Sequence, residues 1–285
     1  MPRLMRKMES LSGSPQPDRF SSLEGLGVKA YWEDRLGRSF GPEGVGFRML
    51  GRNYNHAMYQ VRRAVFKRIL KETGRSFAGA RVLDIGCGTG FYVDQWERAG
   101  AGEITGVDIT AVSVEKLGAR FPNHSFFQAD IGSDISMLPR QDFDAISAFD
   151  VLFHIVDDEG YAQALKNIRS LLAPRGLLLW SDNFLHGAEL RTSIQASRTL
   201  GHIEDILARS GFEIRMRRPM FLLMNAPVDA PGRLHRAAWR LLERTVPRSE
   251  ALGWLAGKLL APLEILLLRR ATEGPSTEWM ICEAV

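Results

Sequence analysis

The chain has 285 residues, 45% hydrophobic and 25% charged, enough for one large domain or two small ones around a sizeable core. Its 37 basic and 33 acidic residues leave an excess of only +4, which gives no indication of a nucleic-acid partner. The two cysteines, Cys87 and Cys282, stand far apart without metal-type spacing; this argues against a disulfide framework and fits a reducing, cytoplasmic setting.

Residues 1–20 are rich in Ser, Pro and charge and read as a disordered leader, without the apolar stretch of a signal peptide. Residues 21–76 read as an N-terminal helical cap. In it Met58, Val61, Val65 and Ile69 recur at spacings of three and four, the mark of one buried helix face, and Gly74 is placed to end that helix. Short apolar strands alternating with helices follow. Strands are expected at 81–86, 103–109, 125–131, 143–150 and 177–182, then at FEIRMRRP and at a closing EWMICEA. This rhythm predicts an α/β fold, a doubly wound, seven-stranded, mostly parallel sheet occupying 77–285.

A helical insertion at 228–272 precedes the last strand. It carries Arg233, Arg236, Arg240 and Arg244 at helical spacing with leucines between them. Such a basic amphipathic pattern more often makes a lid or a homodimer interface, through residues 231–270, and it also suits contact with a membrane surface. Its most apolar tract, residues 254–268, is interrupted by Lys258 and Glu264 and is shorter than the roughly 20 residues of a membrane span.

The first strand runs into Asp84-x-Gly86-x-Gly88-x-Gly90. Glycines in such a turn let a ligand approach bare backbone, and the turn falls where doubly wound sheets bind their ligands. A dinucleotide fingerprint fails here, because Phe91 stands where its third glycine belongs, so a nicotinamide oxidoreductase is disfavoured. Asp84 would repel a pyrophosphate but suits a ligand with an amine and a sulfonium. Asp108, 24 residues on, can accept from ribose hydroxyls.

With VLDIGCGTG, GVDIT, QADI (128–131), DVLFHI (150–155) and LLAPRG (171–176) in this order, residues 81–212 resemble the class I S-adenosylmethionine-dependent methyltransferases, with a small-molecule O-methyltransferase character. Arg175 departs from the pattern, standing where glycine is common. The resemblance implies a Rossmann-like fold in which Asp84, Gly86, Gly88 and Gly90 hold S-adenosylmethionine and Asp108 takes its ribose. Asp130 would meet the adenine amine and Ile131 its ring, with Cys87, Ile109 and Phe149 flanking them. It implies methyl transfer to a small-molecule acceptor, a hydroxyl of a sugar, phenol or polyketide-like metabolite. RNA or protein methylation is the rival within this chemistry, although AFDVLF replaces the Asn/Asp-Pro-Pro-aromatic motif of the exocyclic-amine methylases. A non-catalytic, cofactor-binding partner subunit is the rival outside it.

His154, beyond the fourth strand, is the candidate general base, since an imidazole titrates near neutrality; packing or capping is its alternative role. Asp150, which ends the same strand, is the second candidate catalytic residue. With Asp182 and Asn183 after the fifth strand it forms a candidate Mg²⁺ set, similar to that of the catechol-type O-methyltransferases. Tyr31, Trp32, Tyr54, Tyr59 and Arg198 are the candidate acceptor-binding residues, and the aromatic ones suit equally well as anchors of the cap.

Overall fold

The computed structural model describes residues 27–138, 142–230 and 232–285; the expected leader lies outside them. Three N-terminal helices come first, α1 (Val28–Arg38), α2 (Pro42–Val45) and α3 (Gly51–Glu72). The strand–helix alternation follows as β1 (Arg81–Ile85), α4 (Phe91–Arg98), β2 (Glu103–Asp108), α5 (Ala111–Arg120), β3 (Ser125–Gln128), β4 (Phe143–Phe149), α6 (Asp158–Leu171) and β5 (Leu172–Asp182). A short hairpin, β6 (Leu190–Arg191) with β7 (Ala196–Ser197), leads to α7 (Leu200–Arg209) and β8 (Phe212–Pro219). Helices α8 (Arg233–Thr245) and α9 (Glu250–Leu268) then precede β9 (Glu278–Ala284).

The main sheet has seven strands in the order β3-β2-β1-β4-β5-β9-β8. Its first five strands pair in parallel, while β9 runs antiparallel to both β5 and β8. The strand order reverses between β1 and β4, so a crevice opens beyond their carboxyl ends. This is the doubly wound, mostly parallel sheet that the sequence predicts.

Alternation along each strand divides the core in two. Val82, Ala145, Leu177 and Leu179 face one side, where α3, α4 and α9 pack. Leu83, Ile146, Leu178 and Trp180 face the other, against α6 and α7. On α3 the expected stripe of Met58, Val61, Val65 and Ile69 is buried as predicted. The turn before the fifth strand is drawn into β5, and Arg175 adopts φ +61°, the left-handed conformation in which glycine would be unstrained.

The insertion differs from expectation at its apolar end. The tract expected at 254–268 begins four residues earlier as α9, a 19-residue helix containing Pro262 that is long and apolar enough to cross a membrane by length and composition. It lies along α3 instead, with Gly253 against Leu50 and Tyr54. At Gly257 a Cβ would come within 2.5 Å of the Ala57 Cβ.

Candidate active site

Chemistry at the sheet's carboxyl edge starts from backbone shape. After β1 the chain passes through Gly86 and Gly88, with φ +66° and +48°. A Cβ on Gly86 would lie 2.3 Å from a methyl group of Val151, so only glycine fits this turn. Above it lies a cavity of about 540 Å³, within the usual range for a cofactor site. Gly86, Cys87, Gly88, Asp108, Ile109, Asp130, Ile131 and Phe149 line it, all among the residues expected to hold the cofactor.

Asp108 is the best-anchored of these. One carboxylate oxygen accepts from the Gly88 N–H (2.8 Å), the other from the Thr110 N–H (2.9 Å) and hydroxyl (2.7 Å). Burial raises its pKa while these donors pull it back. Asp130 accepts from the Gly132 N–H at 2.9 Å. Phe149 stacks on Tyr92 with centroids 4.3 Å apart.

Asp84 sits below the turn rather than on the cavity wall. It accepts from the Ser147 hydroxyl at 2.6 Å, and that oxygen in turn accepts from Trp96 Nε1 at 2.9 Å. Burial pushes Asp84 up to about 7. Gly90, at φ +79°, packs behind the turn, where a Cβ would strike Leu117 at 2.6 Å. The buried Cys87 thiol is pushed up, first by desolvation and then by Asp108 and Asp84, so it stays protonated.

A second, smaller cavity of about 80 Å³ adjoins the first. Trp32, Val45, Tyr59, Asp150 and His154 line both. His154 donates from Nδ1 to the Ile194 carbonyl (2.7 Å), which leaves Nε2 as an acceptor, and the Trp32 ring meets it edge-on with centroids 5.0 Å apart. Burial lowers its pKa to about 4, so the near-neutral titration expected of it does not hold. Burial likewise lifts the Tyr59 hydroxyl to about 12.

Asp150 stands at φ +59° and is held on both oxygens, by the Ser181 hydroxyl (3.1 Å) and by an ion pair with Arg62. Sequence reasoning missed Arg62. Burial, the largest single influence, disfavours its charge, but the Asp150 carboxylate together with Tyr92 and Tyr59 more than offsets it and raises its pKa, and the rings of Tyr59 and Phe221 flank the guanidinium. The signal was present, for Arg62 falls on the apolar stripe of α3, three residues before Val65 and four before Phe66.

The candidate Mg²⁺ set is not borne out by its donors. Alternation along β5 sends Ser181 to Asp150 and turns Asp182 the other way, where it receives Tyr161 Oη (3.4 Å) and the Asn183 N–H (2.7 Å). Desolvation lifts Asp182 to about 7, a poor state for a cation ligand. The Asn183 amide is spent on Ser197 and Thr277. A metal ion at Asp150 would have to displace Arg62. Among the described residues no group of three or more His, Cys, Asp or Glu is placed to hold one.

The expected acceptor-binding residues divide in the same way. Trp32 and Tyr59 reach the cavities. Tyr31 instead takes a hydrogen bond from Arg35 (2.7 Å), and Tyr54 lies in the core and donates to the Met224 carbonyl (3.2 Å). Arg198 is buried as a clamp, bound to Asp158 (2.8 Å) and to the Ile155 and Asp157 carbonyls, over the Tyr161 ring. Asn225 and Thr277 reach the smaller cavity from the far end of the chain.

A family model described as a methyltransferase domain matches residues 82–176. The ubiquinone biosynthesis O-methyltransferase of Bradyrhizobium sp. (strain ORS 278) is 33% identical over 106 residues, 36% of this chain and 40% of that protein. Its counterpart in Dinoroseobacter shibae (strain DSM 16493 / NCIMB 14021 / DFL 12) is 29% identical over 163 residues, 54% and 59% of the two chains. The chain thus spans about half the length of the curated relatives it matches. Among solved structures, the magnesium protoporphyrin IX methyltransferase of Synechocystis PCC 6803 with bound SAH superposes with a TM-score of 0.55. It covers 90% of this chain and 98% of that one at 16% identity, a likeness of fold.

Proposed function

We propose that the chain is a class I S-adenosylmethionine-dependent methyltransferase, as the methyltransferase-domain match over residues 82–176 supports, and that it methylates a hydroxyl oxygen of a small-molecule acceptor, a phenol, sugar or polyketide-like metabolite. One observation carries this reading: the cofactor-sized cavity opens onto a smaller one, and Trp32, Tyr59, Asp150 and His154 form the shared wall. The similarity to ubiquinone biosynthesis O-methyltransferases supports oxygen as the methylated atom.

The residues of the larger cavity fit S-adenosylmethionine. The glycine turn admits close backbone approach, the anchored Asp108 carboxylate supports a role with the ribose hydroxyls, and Asp130 and Ile131 on the cavity wall support contact with the adenine. When bound, this group supplies an electrophilic methyl on a sulfonium. The chain's own part is positioning, which can carry several kcal/mol of a barrier (up to about 7–11) when reacting atoms are held in line.

His154 Nε2 accepts a hydrogen bond from the acceptor hydroxyl. With a pKa near 4 it orients that hydroxyl, takes its proton only transiently as the methyl transfers, and passes it on to solvent. Asp150, locked by Arg62 and Ser181, is a positioning residue that fixes the wall beneath. Trp32 and Tyr59 close the cavity from the N-terminal helices and exclude water.

The test is transfer of a labelled methyl from S-adenosylmethionine to a panel of phenols, sugars, amines, RNA and protein, with and without EDTA. Label on hydroxylated small molecules, unchanged by EDTA, is expected. Label confined to amines, RNA or protein would overturn the acceptor class.

A further inference from the structure

Among the described residues, the outer face of α9 has no partner. Leu252, Leu255, Leu259, Leu263 and Leu266 follow one another at intervals of three and four and are 39–64% exposed, while Gly253, Gly257, Ala261, Glu264 and Leu268 are buried, the two glycines against α3. A stripe of this kind on a surface helix marks an interaction site. On neighbouring α8, Leu234 and Leu241 are exposed at 84% and 63%, beside a row made by Arg233, Arg240 and Arg244. Trp239 on the opposite side holds α8 down against Phe47.

Charge decides what covers this face. Residues 233–270 contain eight Lys and Arg but three acidic residues, an excess larger than that of the whole chain. Each of the three acids is engaged within the fold. Glu250 accepts from the Arg52 and Asn53 N–H groups, Glu264 from those at 222–224, and Glu243 from the Trp239 side chain. Arg233, Arg240, Arg244, Arg248, Lys258, Arg269 and Arg270 are all solvent-exposed around the leucines. A second copy of this chain would bring the same positive ring against it, whereas an anionic bilayer offers hydrocarbon for the leucines and phosphates for the ring.

We propose that α8 and α9 form a membrane-docking surface, lying in the plane of a bilayer rich in anionic phospholipid with the α9 leucines in the acyl boundary and the flanking arginines on the headgroups. The site does not depend on which acceptor is methylated. It lies behind α3, whose opposite side carries Tyr59 and Arg62 into the smaller cavity, so docking leaves the active site intact.

The test is sedimentation of the full chain with vesicles of phosphatidylcholine alone or with about one-third phosphatidylglycerol, at low and high salt, alongside light scattering for mass. Binding is expected to the anionic vesicles only, falling with salt. Arg240→Glu with Arg244→Glu should weaken it about tenfold or more. Leu259→Glu with Leu263→Glu should abolish it although every arginine remains, which separates insertion from bare charge adsorption. Both pairs are exposed, and unchanged binding of S-adenosylhomocysteine and an unchanged Tm would show that the variants fold. No sedimentation with either vesicle overturns the proposal. So does a dimer that becomes monomeric in the leucine variant without any vesicle binding, since a second copy would then be the occupant.

Discussion

Replacing Asp108 by Asn keeps the shape of the side chain and removes its charge. The carboxylate accepts from three donors, the Gly88 N–H on one oxygen and the Thr110 N–H and hydroxyl on the other. The amide retains one accepting oxygen, so its NH₂ must face either Gly88 or Thr110, donor against donor. Leaving one buried donor unmet costs about 1–3 kcal/mol, which for a chain of this size lowers the Tm by several degrees, at about 2–4 °C per kcal/mol. Cofactor affinity loses more. A charge-assisted bond to a ribose hydroxyl contributes about 1.5–3 kcal/mol, so S-adenosylhomocysteine should bind about 10- to 150-fold more weakly. Calorimetric titration reads the affinity, and a thermal melt without ligand reads the stability. If Asp108→Asn bound S-adenosylhomocysteine within about threefold of wild type, the ribose role of this carboxylate would be refuted.

The other predictions concern protonation and packing. His154→Ala should lower kcat/KM about 10- to 100-fold without changing S-adenosylhomocysteine affinity, and the acidic limb of the wild-type pH–rate profile should fall near pH 4. Because the folded pKa of His154 is depressed, the unfolded chain takes up the proton first, so its contribution to stability declines as pH drops from about 6.5 toward 4. Asp182 has the opposite slope. Raised to about 7, it holds a proton in the fold that the unfolded chain releases, and it costs stability as pH rises from about 4 through 7. Asp182→Asn should therefore equal wild type at pH 4 in a denaturant titration and exceed it at pH 8, with methyl transfer retained; loss of activity would reopen a role for this carboxylate. Tyr54→Phe should cost about 1 kcal/mol through its lost bond to Met224 and leave the acceptor KM unchanged, whereas Tyr59→Ala should raise that KM.

The parts legible in the sequence are those set by short-range rules. Strand and helix periods, the glycine turn and the acids at strand ends depend on neighbours within a few residues, and Gly86, Asp108 and Asp130 stand where local spacing put them. What escaped depends on distant contacts. Tyr54 and Tyr59 are five residues apart on one helix, yet the first faces the core and the second the cavities, because the roll of α3 is set by its packing on α9 and the sheet. The depressed pKa of His154 comes from burial beneath Trp32, over a hundred residues earlier. Arg198 finds Asp158 and two carbonyls some 40 residues upstream, which no motif announces. Asp182 was readable in principle, because alternation separates it from the face of Ser181.

Two helices in this protein begin on a carboxylate borrowed from elsewhere. The N-terminus of α5, just after Asp108, has no side-chain cap of its own and is finished by Glu33 of α1, whose oxygens accept from Ala111 and Val112 at 2.8 and 3.0 Å. The start of α3 is finished by Glu250, the first residue of α9. Each appendage thus completes the segment next to it, the insertion serving the N-terminal helices and those helices serving the sheet core. A core trimmed to residues 77–285 would expose the open end of α5 beside the ribose acid. Exchanging either appendage for one from another protein would require carrying its carboxylate across with it, so the three segments are coupled at their helix starts.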